Sequence, residues 1–392
     1  MRPGLVVLLL VVCLAAARVE AFPSMVRHDY TSCATCHHDP SGGGLLTQYG
    51  RAQSELLLSA RYKERKEGEE QEVSPTTSFL FGAVALPDWL DLGLNFRGGG
   101  LLTRGGSETR VIPLQMVSDV RGHVAVGPVR AGASVGFALR RARFAALTRG
   151  EQNNVVSREH WLGVTNEDQT LLLRAGRMNL PFGIRTVEHN LWARQATRTD
   201  INEQQQHGVS LAYNTEGLRA EVMAIAGNFQ LKPDIYRERG YAGYFEWAPF
   251  NKAAFGVSSL MTYARYDVAT VRPWFLRQAH GLFARVAPVA PLVLMLEADL
   301  LLDKPSGSPV ASGYTGLLQA DYELTQGIHL MGTAEFLRRP GSEGTALGGW
   351  LTFNYFVFPQ LELRLDTILR RIGEGPTASN ELSLLGQLRL SI

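Results

Sequence analysis

Residues 361–369 read LELRLDTIL, a run in which leucine alternates with charged or polar residues. Successive side chains of a β-strand point to opposite faces, so one face of this segment is apolar and the other carries Glu362, Arg364 and Asp366. Residues 382–392 show the same alternation. An apolar face backed by a charged face is what a barrel strand needs between lipid outside and water inside.

Segments of about ten residues with this pattern recur from Ser78 onward and are separated by Gly, Pro, Asn and charged turns. They predict an all-β fold, a transmembrane antiparallel β-barrel of about 16 strands over residues 78–392. A soluble sandwich or propeller is the alternative, but its two-layer core does not explain so many charged and apolar residues in alternation. The other segments are 88–97, 110–126, 129–140, 156–166, 170–180, 207–214, 218–227, 241–249, 253–265, 278–287, 292–303, 313–324, 328–338 and 346–358.

Residues 1–21 have the pattern of a secretory signal peptide, because an apolar run follows Arg2 and small residues precede Phe22. A membrane anchor is the alternative for this stretch. The net charge is +2 with acidic and basic residues interspersed, which does not favour nucleic acid as a partner. Together with the strand pattern, export predicts the outer membrane of a bacterial cell.

Residues 33–37 read CATCH, a complete C-x-x-C-H haem-attachment motif. Thioether bonds from Cys33 and Cys36 to the two vinyl groups, with His37 on the iron, predict one covalent haem c. A disulfide or half of a zinc site is the alternative. A zinc site needs more Cys or His at matching spacing, and a simple redox pair does not require His37.

The iron bound by His37 needs a sixth ligand, and we expect it from His28, which lies far enough upstream to loop over the haem. Met25 and an open or distant position are the alternatives. His38 is poorly placed because adjacent residues cannot easily reach opposite faces of one porphyrin. The remaining histidines are predicted to be structural or to line the lumen, and they are His123, His160, His189, His207, His280 and His329.

The haem segment, residues 22–60, is too short to build an adequate core unaided. We therefore expect it to form a plug or periplasmic cap packed on the barrel, with residues 61–77 as a charged linker. Residues 181–200 interrupt the strand pattern and are expected to fold into the lumen or over its mouth. The predicted order is signal peptide, haem segment, linker and barrel.

The chain resembles the outer-membrane cytochrome–porin fusions, including the iron-oxidising ones. The resemblance rests on residues 22–23, residues 32–37, Pro40 and residues 49–51, followed by the strand-rich remainder. The resemblance implies an electron-transfer protein that moves electrons through its haem, between an extracellular donor or acceptor and a periplasmic cytochrome or other carrier. Outer-membrane lipid is the other expected partner, and no catalytic residue is assigned. Two alternatives stay open: a diffusion porin whose plug carries the haem, and an oxidoreductase acting on extracellular metal ions such as Fe(II).

Overall fold

The chain forms a closed antiparallel β-barrel whose lumen contains its own N-terminal segment and one inward-folded loop. The barrel wall accounts for most of the chain in the computed structural model. The residues that the structure describes are 23–60, 78–105, 108–137, 155–188, 190–229, 232–373 and 378–392.

The strands are numbered in chain order. The short helices lie within residues 23–60, within residues 179–205 and just before the first strand. The strands are β1 Leu90–Gly105, β2 Glu108–Val126, β3 Val129–Phe137, β4 Val155–Val156, β5 His160–Thr165, β6 Leu171–Met178, β7 Gln206–Asn214, β8 Leu218–Gly227, β9 Arg239–Phe250, β10 Ala253–Tyr266, β11 Pro273–Val289, β12 Leu292–Lys304, β13 Ala311–Thr325, β14 Ile328–Arg338, β15 Ala346–Phe358, β16 Leu361–Ile372 and β17 Ser379–Ser391. The α-helices are α1 Gln48–Leu58 and α2 Trp192–Thr197, and the 3-10 helices are Pro23–His28, Cys33–Thr35 and Phe79–Gly82.

Pairing of the first and last strands closes the barrel. β1 pairs antiparallel with β17, in register from Asn95 opposite Ser391 to Gly105 opposite Glu381. β4 and β5 both pair with β3, so they are two pieces of one interrupted strand, and the 17 segments of the sheet occupy 16 positions around the barrel. The predicted barrel of about 16 strands is confirmed.

The interrupted strand departs from the prediction of one continuous segment over residues 156–166. Its ladder breaks at residues 157–159, where the backbone N–H groups of Arg158 and Glu159 both donate to the Ser134 hydroxyl, at 2.9 and 3.0 Å. The Arg158 side chain turns inward, and its Nε donates to the Asn202 carbonyl at 2.6 Å. At this point the Ser134 side chain of β3 replaces a main-chain acceptor for two N–H groups, while the Ser134 N–H still donates to the Glu159 carbonyl at 2.8 Å.

The burial of side chains along β16 follows the alternation of apolar and charged residues in its sequence. Leu363 and Leu365 are 39% and 52% exposed, whereas Glu362, Arg364 and Asp366 are buried. An apolar outer wall around a charged interior reverses the arrangement of a water-soluble domain, so lipid must cover the outside. This is an outer-membrane barrel.

Arginine–carboxylate pairs cross-link the lumen wall. Arg174 lies 2.6 Å from Glu221 on β8, and Arg364 lies 2.8 Å from Asp366. Pairing of this kind offsets the desolvation of buried charges, which is costly when a partner is missing. The interior of the barrel is consequently polar but largely charge-compensated.

The two ends of the barrel differ in the length of their connections. At one end, five of the seven connections between adjacent strands are two-residue turns, which are residues 127–128, 251–252, 290–291, 326–327 and 359–360, and the other two are residues 166–170 and 215–217. Short turns face the periplasm in bacterial outer-membrane barrels, and the longer loops face outward. We call the first of these the short-turn end.

Residues 23–60, which we call the plug, lie inside the short-turn end. The Arg27 guanidinium is 2.7 Å from the Asp321 carboxylate, and both side chains are almost fully buried. Lys252 Nζ donates to the Arg27 carbonyl at 2.6 Å, and the Thr31 hydroxyl donates to the Glu216 carbonyl at 2.7 Å. Side chains and main chain at three separate strand ends or turns therefore hold the start of the plug.

The C-terminal half of the plug is α1. The Thr47 hydroxyl caps this helix by accepting from the Gly50 N–H at 3.0 Å. Gln326 Nε2 donates to the Leu56 carbonyl at 2.9 Å, and the Ala60 N–H donates to the Phe356 carbonyl at 3.1 Å. The end of the plug is thus tied to the short-turn end as firmly as its start.

The connection between β6 and β7, residues 179–205, folds into the lumen, and we call it the inward loop. The Ile184 N–H donates to Glu297 at 2.8 Å, and the Trp192 N–H at the start of α2 donates to Glu335 at 2.8 Å. Both carboxylates project from barrel strands. The sequence predicts that residues 181–200 fold either into the lumen or over its mouth. In the structure they fold into the lumen.

Three predicted features fall outside the described residues: the signal peptide (1–21), the charged linker (61–77) and His189. Within the part that is described, no helix is long and apolar enough to cross a membrane.

Candidate haem site in the barrel lumen

The C-x-x-C-H motif folds as a single helical turn of the plug. The N–H groups of Cys36 and His37 both donate to the Cys33 carbonyl, at 3.2 and 3.0 Å. Both cysteine side chains are buried, and they are not joined in a disulfide. Two thiols and one imidazole on a single turn form the donor set that covalent haem attachment requires.

Helix α1 packs directly against this turn. A Cβ atom on Gly50 would lie 2.3 Å from the Cys36 carbonyl oxygen, so only glycine allows the helix to come this close. The Thr47 N–H donates to the same carbonyl at 2.9 Å. The helix therefore fixes the backbone of Cys36 from the side opposite the cavity described below.

The chain after the motif is locked onto the inward loop through Asp39. Its carboxylate accepts from the Ser41 N–H and from Asn179 Nδ2, each at 3.0 Å. Burial opposes ionisation of Asp39, but the nearby guanidinium groups of Arg174 and Arg185 hold its pKa below the ordinary value. The motif is therefore attached to the loop by a charged, hydrogen-bonded contact.

Gly42 then lets the backbone pass close to the motif. Its φ is +94°, and a Cβ atom there would lie 3.2 Å from Cys33 Sγ. A positive φ of this kind is strained for any residue with a side chain. The next two glycines also have positive φ, so this loop clears space next to Cys33.

A cavity opens beside Cys33 and His37. The plug forms one side of the cavity, the inward loop forms another, and barrel strands complete it. Its described lining includes residues 41–44, residues 183–187, Ile201, Asn202, Asn95, Val117 and Phe283.

Six arginines also line this cavity, and two of them differ from the rest. Arg97 donates to Gln387 at 2.8 Å and Arg185 donates to Ser41 at 2.8 Å, but neither makes an ion pair with a described carboxylate. Arg185 Nη1 is buried and has no hydrogen-bond partner. The positive charge of these two arginines is therefore compensated only at a distance, by Asp39 near Arg185 and by Glu188 and Glu362 near Arg97. The other four each pair with a carboxylate, and they are Arg121, Arg219, Arg285 and Arg389.

His37 is held as a neutral imidazole. Burial lowers its pKa to about 4, and the Asp39 carboxylate opposes this shift only in part. Its Nδ1 atom is buried without a hydrogen-bond partner. A neutral imidazole is the form that binds iron, so the electrostatics suit the predicted role.

The predicted sixth ligand lies elsewhere in the plug. His28 ends the first 3-10 helix, where its charged neighbours include Glu323 and Lys252, and burial lowers its pKa to about 4. Met25 is 3% exposed and packs in an apolar cluster with Leu58. Neither side chain lines the cavity, and the described lining holds no His or Met besides His37. His28 as iron ligand stays a prediction.

Several contributors to this site were not identified from the sequence. Arg97 lies on the charged face of the alternating segment 88–97, so its inward direction could have been inferred. Asp39 lies two residues after His37, and this closeness to the motif is only a weak indication that Asp39 belongs to the site. Asn179 and Arg185 carry no local signal, because their contact with the plug exists only once the loop has folded inward.

No protein-family model and no curated protein matches the sequence. Solved outer-membrane barrels do match the structure. An anion-selective porin from Comamonas acidovorans aligns with a TM-score of 0.57 at 10% identity, covering 77% of this chain and 99% of that one. The trimer form of the Vibrio cholerae outer membrane protein OmpT gives 0.57 at 11% identity, with coverages of 77% and 99%.

Pseudomonas putida OprB aligns with a TM-score of 0.56 at 11% identity, covering 78% of this chain and 94% of that one. At identities this low, the likeness concerns the fold alone. The chain therefore shares the porin barrel fold, with a plug segment in the lumen that carries a haem-attachment motif.

Proposed function

We propose that the protein transfers electrons across the outer membrane through one haem bound covalently in its lumen. The observation that carries this proposal is the position of the C-x-x-C-H turn. Cys33 and His37 border a cavity between the plug, the inward loop and the barrel wall. A haem bound here would supply one-electron redox chemistry at a point inside the membrane-spanning barrel.

The residues around the cavity have the chemistry that a haem needs. Cys33 and Cys36 would anchor it as thioethers, and neutral His37 would ligate the iron. Arg97 and Arg185 would pair with acidic propionate groups, because they are the two lining arginines without a described carboxylate partner. The sequence motif and the lumen charges thus support the same ligand independently.

The periplasmic partner would approach the plug at its open face. Thr35, Gln48 and Tyr49 are exposed there, beside the motif, on the short-turn end. The apolar band of a barrel is about 25 Å tall, so one haem in the lumen must exchange electrons with a partner on each side. A periplasmic cytochrome or other carrier fits the short-turn end, and an extracellular donor or acceptor fits the other.

The second candidate function is a diffusion porin whose plug carries the haem. The solved structures with this fold include an anion-selective porin. Guanidinium groups also line the cavity of this chain, which would suit anionic solutes. In this case the haem would stabilise or gate the plug, and solute flux would be the main activity.

Liposomes separate the two functions. The full-length protein is reconstituted in vesicles that contain an oxidised redox dye, and a reductant that does not cross lipid is added outside. Electron transfer predicts fast dye reduction by the wild type and little reduction by a Cys33→Ala/Cys36→Ala variant. Equal rates in the two would mean that reductant diffuses through the pore. Planar-bilayer conductance of the same samples then measures solute flux directly.

A further inference from the structure

A second group of candidate ligands lies beside the haem motif at the short-turn end. Asp91 on β1 and His123 on β2 are direct partners in the antiparallel register, so their side chains are neighbours. The plug contributes His38, whose Nε2 is 2.9 Å from Asp91 Oδ2. One potential ligand atom from each of the three residues lies within 4.8 Å of the other two.

The His123 imidazole lacks a polar partner. Its ring stacks on His38 with the centroids 3.6 Å apart, and the residue is 5% exposed. The Nδ1 atom is buried and makes no hydrogen bond with the described residues. Burying such an atom without a partner costs free energy, so its presence points to a ligand that would satisfy the ring.

Asp91 has no arginine in direct contact. Several buried carboxylates of the lumen do pair with arginines, as Glu221 does with Arg174. The only ion-pair partner of Asp91 in the described part of the chain is His38, and the nearby Arg51 donates to a main-chain carbonyl instead. The cluster therefore presents two imidazoles and a carboxylate with no guanidinium bonded to it.

We propose that His38, Asp91 and His123 bind one divalent first-row transition-metal ion. Imidazole nitrogen and carboxylate oxygen are favoured ligands of such ions. Donors on one tetrahedral ion lie about 3.3 Å apart, so the His38–Asp91 spacing already fits and His123 needs only a side-chain rotation. Two of the three ligands, Asp91 and His123, belong to barrel strands outside the haem motif, whereas His38 directly follows it.

The first test is zinc binding by the full-length, haem-bearing protein in detergent after chelator treatment. Calorimetry should detect one Zn²⁺ site per chain. Losing a residue that merely hydrogen-bonds a metal ligand typically weakens metal binding by about 10- to 100-fold. Asp91 and His123 are proposed as ligands themselves, so Asp91→Asn or His123→Gln should weaken zinc binding at least tenfold. His280→Ala is the matched control, because His280 lies on β11 and hydrogen-bonds Ser259 outside the cluster.

The second test is Cu²⁺ binding monitored by electron paramagnetic resonance. The wild type should show one copper site with nitrogen couplings from two imidazoles, and His123→Gln should retain one. Haem content and heat-modifiable gel mobility report that each variant has folded and carries haem, so a failure here is distinct from a failure of the electron-transfer proposal. The metal site would be overturned if the wild type bound metal no more tightly than an Asp91→Asn/His123→Gln double variant. His38, Asp91 and His123 would then be only a hydrogen-bonded and stacked cluster.

Discussion

The plug and the inward loop both occupy the lumen, yet the barrel holds them in different ways. The plug is attached at the short-turn end, by the buried Arg27–Asp321 pair and by bonds to main-chain atoms of the turns. The inward loop is held from the wall itself, where Glu297 and Glu335 accept from its main-chain N–H groups. The cavity between them thus depends on attachments at the end and in the wall, and on the Asp39–Asn179 contact that joins the two segments.

The largest expected effect comes from removing the chemistry of the plug while leaving its attachment intact. Cys33→Ala/Cys36→Ala should abolish covalent haem completely, because both thioether anchors are gone. Peroxidase staining after denaturing electrophoresis measures this. The barrel should still show heat-modifiable mobility. A stained band in the variant would contradict the site.

Arg27→Met should loosen the start of the plug. Asp321 keeps its second partner, His329, at 2.9 Å, so the cost should lie below the about 3–5 kcal/mol that is typical of a buried charge left with no partner. Hydrogen exchange of the plug should accelerate while that of the inward loop stays slow. Arg110→Met, which breaks an exposed pair with Glu108, is the control and should change neither. Unchanged protection of the plug would show that the ion pair does not hold it.

Glu297→Gln should release the inward loop alone. The amide oxygen can still accept from Ile184, but the buried Arg194 guanidinium loses its carboxylate, at a cost of about 3 kcal/mol. The same exchange experiment should now show a faster loop and a protected plug. If both segments open together in this variant, the two attachments form one cooperative unit and the contrast between them fails.

Gly42→Ala tests how closely the plug backbone passes the motif. Both the positive φ and the contact with Cys33 oppose a side chain there, so we expect a loss of about 1–3 kcal/mol and reduced haem yield. Gly307→Ala is the control, because its φ is +72° and nothing lies within 4 Å of the added Cβ. The stability loss of Gly307→Ala therefore measures the effect of a positive φ alone, without a close contact. Equal losses would mean that the contact with Cys33 is unimportant.

His28→Ala tests the predicted sixth ligand. If His28 binds the iron, its removal should convert the oxidised haem from low to high spin and change the absorption spectrum. Because His28 lies outside the cavity lining, this role also requires the first 3-10 helix to move toward the haem. Low-temperature electron paramagnetic resonance of the oxidised protein measures the spin state, and an unchanged spin state would rule out His28 as the ligand.

The barrel could be predicted from the sequence because each strand reports its own environment. Several segments, such as 218–227 and 328–338, match the observed strands at both ends, since alternation and turn residues are local signals. The haem motif is equally local, because its three functional residues lie within one turn.

The walls of the site could not be predicted in the same way. Asn179 and Arg185 reach the plug only through the folding of the inward loop, and the Asp91–His123 contact requires the register of β1 against β2. His123 was assigned a structural or lumen-lining role because an isolated histidine has no local signature. Contacts between distant segments need the closed barrel before they exist.

The burial of Cys33 and Cys36 has a consequence for the order of assembly. In the closed barrel, these thiols are 7% and 4% exposed, behind the plug backbone and beneath the inward loop. An enzyme that attaches haem must reach both sulfur atoms, and the finished lumen gives it no room. If the chain carries the proposed haem, the N-terminal segment would therefore receive it in the periplasm first, and the sixteen-position wall would close around it afterwards. For such a protein, cofactor supply would precede membrane insertion.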